Sequence, residues 1–354
     1  MKLFRCRNCE QTSHFDNRVC VRCGATLGFR AEDVALHALV PAGESQWQVI
    51  GDTQANYRFC DNAAIDVCNW LVRADEGHSL CEACRHNRTV PTTDPVGLGR
   101  WRKICQAQRH LFYSLLRWRL PRPTRNDQPD GLVFDFLADE VDGNGNIVPA
   151  MTGHEDGLVS LRAAEADDAV RESVRVSMNE PYRSLLGHFR HEVGHFYWTQ
   201  LVRDDATLAE ARSLFGDETT DYAEALRRNY EQGPPPDWPE RYISTYASCH
   251  PAEDFAECWA HLFHIVDTLE TARAFGLNTD PLGHEELEAA EVSFDPYRAP
   301  DADRLVEAWI PLSVAMNAIQ RSMGQPDSYP FVMPPPVVEK LDFINRLIRR
   351  EGGQ

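Results

Sequence analysis

Long hydrophobic runs are missing from this sequence. The best apolar stretch, Ala308 to Met316, is interrupted by Pro311 and falls well short of the ~18 residues a membrane-crossing helix needs. The N-terminus, Met1 to Cys6, runs straight into a cysteine motif with no apolar leader before it, so a cytoplasmic location with no membrane partner is expected. Positive charge is also scarce: 36 Lys and Arg face 54 Asp and Glu, for a net charge of −18. A polyanion such as nucleic acid is therefore an improbable partner for the chain as a whole. Cysteine is rare over most of the length, since only Cys105, Cys249 and Cys258 lie beyond residue 84. No internal repeat stands out beyond the cysteine clusters, and no segment is of low complexity.

What is present is ordinary in bulk and specific in detail. The chain has 354 residues, 43% hydrophobic and 25% charged. At ~150 residues per domain that suits two or three domains with real cores. The charge is unevenly placed. Residues 85–125 hold ten basic side chains and one acidic, whereas everything after Arg125 holds 18 basic and 42 acidic. Such a basic segment could dock on that acidic body or meet an anionic partner, and docking within the chain is the expectation.

Eight cysteines fall between residues 6 and 84. In a reducing compartment, clustered cysteines are more often metal ligands than disulfides. Cys6-x2-Cys9 and Cys20-x2-Cys23 are two knuckles, each aiming two thiolates at one point, and together they complete a tetrahedral zinc site. A module this small has little core, so the metal would supply much of its folding energy. Cys60, Cys68, Cys81 and Cys84 suggest a second site, with a knuckle at 81–84 and with Cys68 in an apparent strand, Ile65 to Val72. Four cysteines leave no open coordination position, so both sites would be structural.

From Gly97 to Leu120 the apolar spacing is helical, with arginines interleaved, and Pro121 and Pro123 stop it. Gly131 to Leu137 and Gly157 to Arg162 read as strands, and Asp142-Gly-Asn-Gly-Asn146 between them as a hairpin turn. The second strand is the candidate for a free edge on which an extended peptide could pair. Beyond residue 168 the pattern is almost wholly helical, broken at Gly233-Pro-Pro-Pro236 and Pro334-Pro-Pro336.

The decisive stretch is His191-Glu192-Val-Gly-His195, expected on a helix that starts near Asn179-Glu180-Pro181 and buries a stripe of Leu185, Leu186, Phe189, Val193 and Phe196. His191 and His195 lie one turn apart on one face and can reach one metal ion, with Glu192 beside them to contact a water. This is the His-Glu-x-x-His arrangement of zinc peptidases. A third histidine six residues on is absent, because that position is Leu201. Asp217 and Asp221 are possible third ligands. Better placed are Glu253 and Glu257, one turn apart on a helix whose stripe is Phe255, Trp259, Leu262, Phe263 and Val266. Carboxylates on a partly apolar helix are costly to bury unpaired. A zinc ion for one and the second nitrogen of a ligating histidine for the other would satisfy both. His188, His261 and His264 read as packing or supporting residues.

Tyr246-x6-Glu253-x-Phe-Ala-Glu257, downstream of His-Glu-x-Gly-His, resembles the catalytic arrangement of gluzincin peptidases related to anthrax lethal factor. That resemblance implies Glu253 as third zinc ligand, Tyr246 as the tyrosine beside the reacting carbonyl, and Glu257 as the carboxylate behind a ligand. Nearly the full length also resembles a bacterial family of zinc-binding metallopeptidases with an N-terminal zinc ribbon. The expected fold is α+β: a zincin-like, mostly helical metallopeptidase domain over 126–354, preceded by small zinc-ribbon β modules over 1–96 and a basic connecting helix over 97–125. The expected function is zinc-dependent peptide hydrolysis with Glu192 as general base, using one catalytic and two structural zinc ions. The expected partners are a peptide or protein substrate and a protein docked through the ribbons. The competing reading is a zinc-ribbon binding or regulatory protein with latent or absent peptidase activity, acting on nucleic-acid-associated proteins.

Overall fold

The first cysteine knuckle is held in a short hairpin, β1 (Phe4–Arg5) against β2 (Thr12–Ser13), paired antiparallel. The computed structural model describes residues 1–177, 183–281 and 291–353. It divides into two units, Met1–Arg117 with Pro121–Arg171, and Trp118–Leu120 with Glu172–Gln354. Among the described residues, no helix is long and apolar enough to cross a membrane.

In the N-terminal unit, β3 (Thr26–Arg30), β4 (Ala35–Gly43), β5 (Gln46–Val49), β6 (Asp52–Phe59) and β7 (Leu71–Arg73) form an antiparallel five-stranded sheet in sequential order. Leu39, Val49, Tyr57 and Leu71 make its core. The sheet curls until its ends meet: Phe29 in β3 donates its N–H to the Asn69 carbonyl at 3.0 Å, just ahead of β7. Gly28 permits that closeness, because a Cβ there would stand 2.6 Å from Leu71. Cys68 lies in the turn before β7, so the strand expected from Ile65 begins only at Leu71.

After β8 (Asn87–Thr89) comes the basic helix α1 (Pro95–Arg117), which buries Trp101, Ile104, Leu111, Phe112 and Tyr113. Phe15 packs edge-on against Phe29, Trp70, His110 and Tyr113, tying α1 to both the first knuckle and the curled sheet. The basic side chains are largely spoken for. Arg109 and His110 meet Asp16, Arg102 meets Asp66, Arg122 meets Glu82, Arg88 meets Asp135 and Arg100 meets Asp167. Their partners come from both sides of the basic segment.

A second sheet follows, ordered β12-β13-β9-β8, from β9 (Val133–Leu137), β12 (Gly153–Glu155) and β13 (Leu158–Arg162). The hairpin β10 (Glu140–Val141) and β11 (Ile147–Val148) spans the expected turn, where Asp142 Oδ1 accepts the N–H groups of Asn144 and Asn146. One expectation is corrected here. The strand at Gly157 to Arg162 has no free edge, since β13 pairs parallel with β9 on one side and antiparallel with β12 on the other. Its backbone donors and acceptors are used in both ladders, so an incoming peptide has nothing to pair with. The pairing of β8 with β9 also places residues 133–162 in the same unit as the cysteine-rich region.

The second unit is helical: α3 (Leu185–Leu201), α4 (Asp205–Phe215), α5 (Tyr222–Gln232), α6 (Trp238–Arg241), α7 (Pro251–Phe275), α8 (Ala302–Ser322) and α9 (Pro335–Glu351). The short helix α2 (Asp168–Ser177) precedes them. Ser184 caps α3 by accepting the Gly187 N–H at 2.9 Å; the expected start at 179–181 lies outside the described residues. Helix α7 is the axis of this unit. Phe255, Trp259, Leu262, Phe263 and Val266 are all fully buried, and α3 lies along it, with Tyr197 stacked on Trp259 and Trp198 edge-on to Phe255. The glycine of His-Glu-Val-Gly-His is needed for that fit. A Cβ on Gly194 would sit 3.0 Å from Ala256 Cα and 3.2 Å from the Trp259 ring. From behind, Lys340 of α9 pairs with Asp254 Oδ2 at 2.6 Å and donates to the Arg241 carbonyl at 2.8 Å, fixing the start of α7.

Candidate metal centres

Each N-terminal cluster begins with local backbone geometry. In the first knuckle the Cys6 carbonyl accepts the N–H groups of Cys9 and Glu10, which folds the two thiols inward. Cys6 Sγ stands 3.7 Å from Cys23 Sγ, and Cys9 Sγ 3.6 Å from Cys20 Sγ. In the second cluster Cys68 and Cys81 are 3.7 Å apart. Thiolates on one tetrahedral zinc at ~2.3 Å are separated by roughly 3.8 Å, so both clusters fit the ion. All four ligand atoms converge in each, Cys6, Cys9, Cys20 and Cys23 in one and Cys60, Cys68, Cys81 and Cys84 in the other. Cys105 of α1, which its spacing does not link to the cluster, also stands there, 3.9 Å from Cys84, with the buried Arg109 guanidinium 3.5 Å from its sulfur. A positive charge beside several thiolates offsets their mutual repulsion.

The third cluster joins two helices. His191 and His195 project from one face of α3, and Glu253 from the first turn of α7. His191 Nε2 is 2.9 Å from Glu253 Oε2 and 3.3 Å from His195 Nε2, and His195 Nε2 is 3.6 Å from Glu253 Oε2. Nitrogen and oxygen donors at ~2.0–2.1 Å from a tetrahedral zinc lie roughly 3.3–3.4 Å apart, so this set also fits. It offers three donors, not four.

Two of the three donors have partners behind them, His191 in Glu257 and Glu253 in Tyr222. His191 turns its other nitrogen, Nδ1, to Glu257 Oε1 at 2.8 Å, and Ser244 Oγ donates to Glu257 Oε2 at 2.6 Å. Burial opposes charge on His191, yet the two carboxylates outweigh it and raise its pKa well above the usual imidazole range. Burial likewise pushes the Glu253 carboxyl up, but His191 and His195 overcome it and hold it well below the usual carboxylate range. Glu192 is buried between histidines, 3.2 Å from His188 Nε2. Against the burial that would raise it, His188, His191 and His195 lower its pKa, so it stands as a carboxylate. Tyr246, half-buried in the turn before α7, has its ring 5.9 Å from that of His191. Burial first, then the Glu253 charge, raise its phenol far above the ordinary value, leaving a neutral O–H donor.

The structure therefore brings His191, His195, Glu192, Glu253, Glu257 and Tyr246 to one place and leaves the two aspartates out. Asp221 Oδ1 caps α5 through the Glu224 N–H at 3.0 Å, and Asp217 Oδ1 accepts from Thr219. Histidines outside the cluster take supporting positions: His261 Nδ1 meets the Tyr329 hydroxyl at 2.6 Å, and His264 Nδ1 meets Arg190 at 2.6 Å. Two residues were not foreseen. Ser244 stands behind Glu257, and Tyr222, at the first turn of α5, donates its hydroxyl to Glu253 Oε1 at 2.8 Å.

Two long helices crossed by a His-His-Glu cluster, following a thiolate-rich β region, describe a metallopeptidase with a zinc ribbon, and the comparisons agree. Residues 97–347 match the family described as "Putative zinc-binding metallo-peptidase", and residues 3–95 match a zinc-ribbon domain. The chain belongs to that metallopeptidase family. It is 39% identical over 353 residues to proteins of Mycobacterium bovis and of two Mycobacterium tuberculosis strains, covering 98% of this chain and 95% of each relative; all three are described as uncharacterized proteins. No solved structure matches the chain.

Proposed function

We propose that the protein is a zinc-dependent peptidase of gluzincin type, with a zincin-like catalytic domain, in which His191, His195 and Glu253 hold the catalytic ion and Glu192 is the general base. The observation that carries this reading is the three-donor cluster, spaced for zinc, with a buried ionised carboxylate beside it. When bound, zinc supplies Lewis acidity, which polarises a peptide carbonyl and makes a water acidic enough to lose its proton near neutral pH. Glu192 takes that proton and returns it to the leaving amine. Tyr246, kept neutral, donates a hydrogen bond where negative charge develops on the carbonyl oxygen. Glu257 fixes the His191 ring by accepting from Nδ1, which leaves Nε2 as the donor atom toward the metal.

The two four-cysteine clusters hold structural zinc in this proposal, giving three ions per chain. The substrate is a peptide or protein, and the ribbon region, 1–96, is the part that docks a protein partner. Ion pairing of the basic segment within its own unit supports setting nucleic acid aside. Metal quantification of the purified full-length chain, followed by incubation with a mixed peptide library, tests the reading. Three zinc ions and new peptide termini that vanish with Glu192→Gln are expected. Full-length protein that holds zinc at all three clusters and cleaves nothing in the library points instead to a regulatory zinc-ribbon protein.

A further inference from the structure

Glu253 presents its two oxygens to different neighbours. Oε2 faces His191 Nε2 at 2.9 Å and His195 Nε2 at 3.6 Å, while Oε1 accepts the Tyr222 hydroxyl at 2.8 Å. A carboxylate left alone beside a cation can bind through either oxygen or both. We infer that Tyr222 is the positioning residue of the metal site: its hydroxyl holds Glu253 Oε1 and so leaves Oε2 as the single donor. This inference rests on Glu253 being a metal ligand.

The residue is built to hold still. Asp221 caps α5 immediately before it. The Tyr222 ring packs edge-on against His250, centroids 5.2 Å apart. His250 is itself the cap of α7, for its Nδ1 accepts the Ala252 N–H at 3.1 Å. With Nδ1 accepting, the proton lies on Nε2, which donates to the Thr220 carbonyl at 3.1 Å. One imidazole thus links the turn that carries Tyr222 to the helix end that carries Glu253, and their separation is set by that link. The buried Glu253 is 2% exposed, whereas Tyr222 is 43% exposed. The phenol therefore reaches in from the rim, with its hydroxyl on the carboxylate and its ring edge in solvent.

Partners behind a metal ligand typically contribute 10–100-fold in metal affinity. Tyr222→Phe removes one oxygen and keeps the ring on His250, so packing is preserved. The measurement is a cobalt(II) titration of the full-length chain. Sulfur-to-cobalt charge-transfer bands mark the thiolate clusters, and d–d bands without them mark the mixed site. Affinity at the mixed site should fall about 10–100-fold in Tyr222→Phe, with its d–d bands altered as Glu253 becomes free to bind through both oxygens. The thiolate bands should be unchanged. Glu253→Ala is the control for the reading on which the inference rests. If Glu253→Ala loses the mixed site while Tyr222→Phe keeps native affinity and native d–d bands, Tyr222 has no positioning role and the inference alone is overturned. If Glu253→Ala itself binds cobalt with native affinity, the ligand assignment fails, and the inference fails with it.

Discussion

The thiolate clusters and the His-His-Glu cluster solve the same problem, converging donors on one cation, by opposite means. In the N-terminal unit the donors come from turns and knuckles a few residues long, and each set has four. In the helical unit the donors come from α3 and α7, whose facing sides are packed by Tyr197 on Trp259 and Trp198 on Phe255 before any metal is considered. That set has three donors, of which His191 is backed by Glu257 and Glu253 by Tyr222. A closed set contributes folding energy, and an open set leaves room for chemistry. The difference in ligand number follows a difference in scaffold: four donors where they come from turns and knuckles, three where they come from packed helices.

The sharpest way to break this comparison is to remove one donor from each side. On the proposed assignment, Cys6→Ser should cost the first module its zinc, whose binding amounts to roughly 10 kcal/mol or more in comparable small sites. Metal analysis should show one zinc fewer, and the β1–β2 hairpin should lose protection in hydrogen exchange. Amides of α3 and α7 should stay protected in the same sample. Simultaneous loss of protection in both units would end the idea that they fold on separate resources.

Next in size comes Glu192→Gln, which keeps the shape of the side chain and removes the proton acceptor. Peptide cleavage should fall by about 10²–10⁴, with zinc content unchanged. A variant that loses zinc along with activity would make Glu192 part of the binding set instead. Tyr246→Phe should follow, with zinc retained and kcat reduced by about 10²–10³, as for other oxyanion donors. A rise in KM at constant kcat would assign Tyr246 to substrate binding alone.

Legibility in the sequence tracked how local each feature is. Cys-x2-Cys knuckles and His191-x3-His195 are set by a turn or one helical repeat, so their spacing alone brings them together. Glu253 and Glu257 were visible because carboxylates interrupt an apolar stripe. Tyr222 was not, because it reaches Glu253 from another helix, and only the packing of α5 on the α7 cap reveals it. The search came within one residue, at Asp221, whose carboxylate caps a helix instead. Strand pairing is still less local. Alternation in Gly157 to Arg162 marks a strand without saying how many neighbours it has, and the structure gives it two. Cys105 was passed over for a similar reason: it sits on an amphipathic helix as any apolar residue would, and its sulfur meets Cys84 only after α1 has docked.

The smallest expected effect concerns acid, which should act on the two regions by different routes. Thiolate sites lose metal when their ligands protonate. The helical unit carries a second acid sensitivity, in a buried imidazole that is not one of the three converging donors. His261 is buried, and burial first, partly opposed by the Glu257 charge, lowers its pKa from 6.5 to about 4. In the unfolded chain the same imidazole takes its proton near 6.5. Between those values this imidazole is protonated in the unfolded state and not in the folded state, so its contribution to stability falls as pH falls. The stabilisation is fully present above pH 6.5 and lost progressively toward pH 4, about 3 kcal/mol in all at ~1.4 kcal/mol per pKa unit. Thermal unfolding followed from pH 7.5 to 4.5, parent against variant, reads this contribution as a difference in slope. His261→Asn keeps a polar side chain near Tyr329 and removes the titration, so its melting temperature should decline less steeply over that range than that of the parent. Parallel declines would mean that His261 gains its proton in the folded protein as readily as in the unfolded one.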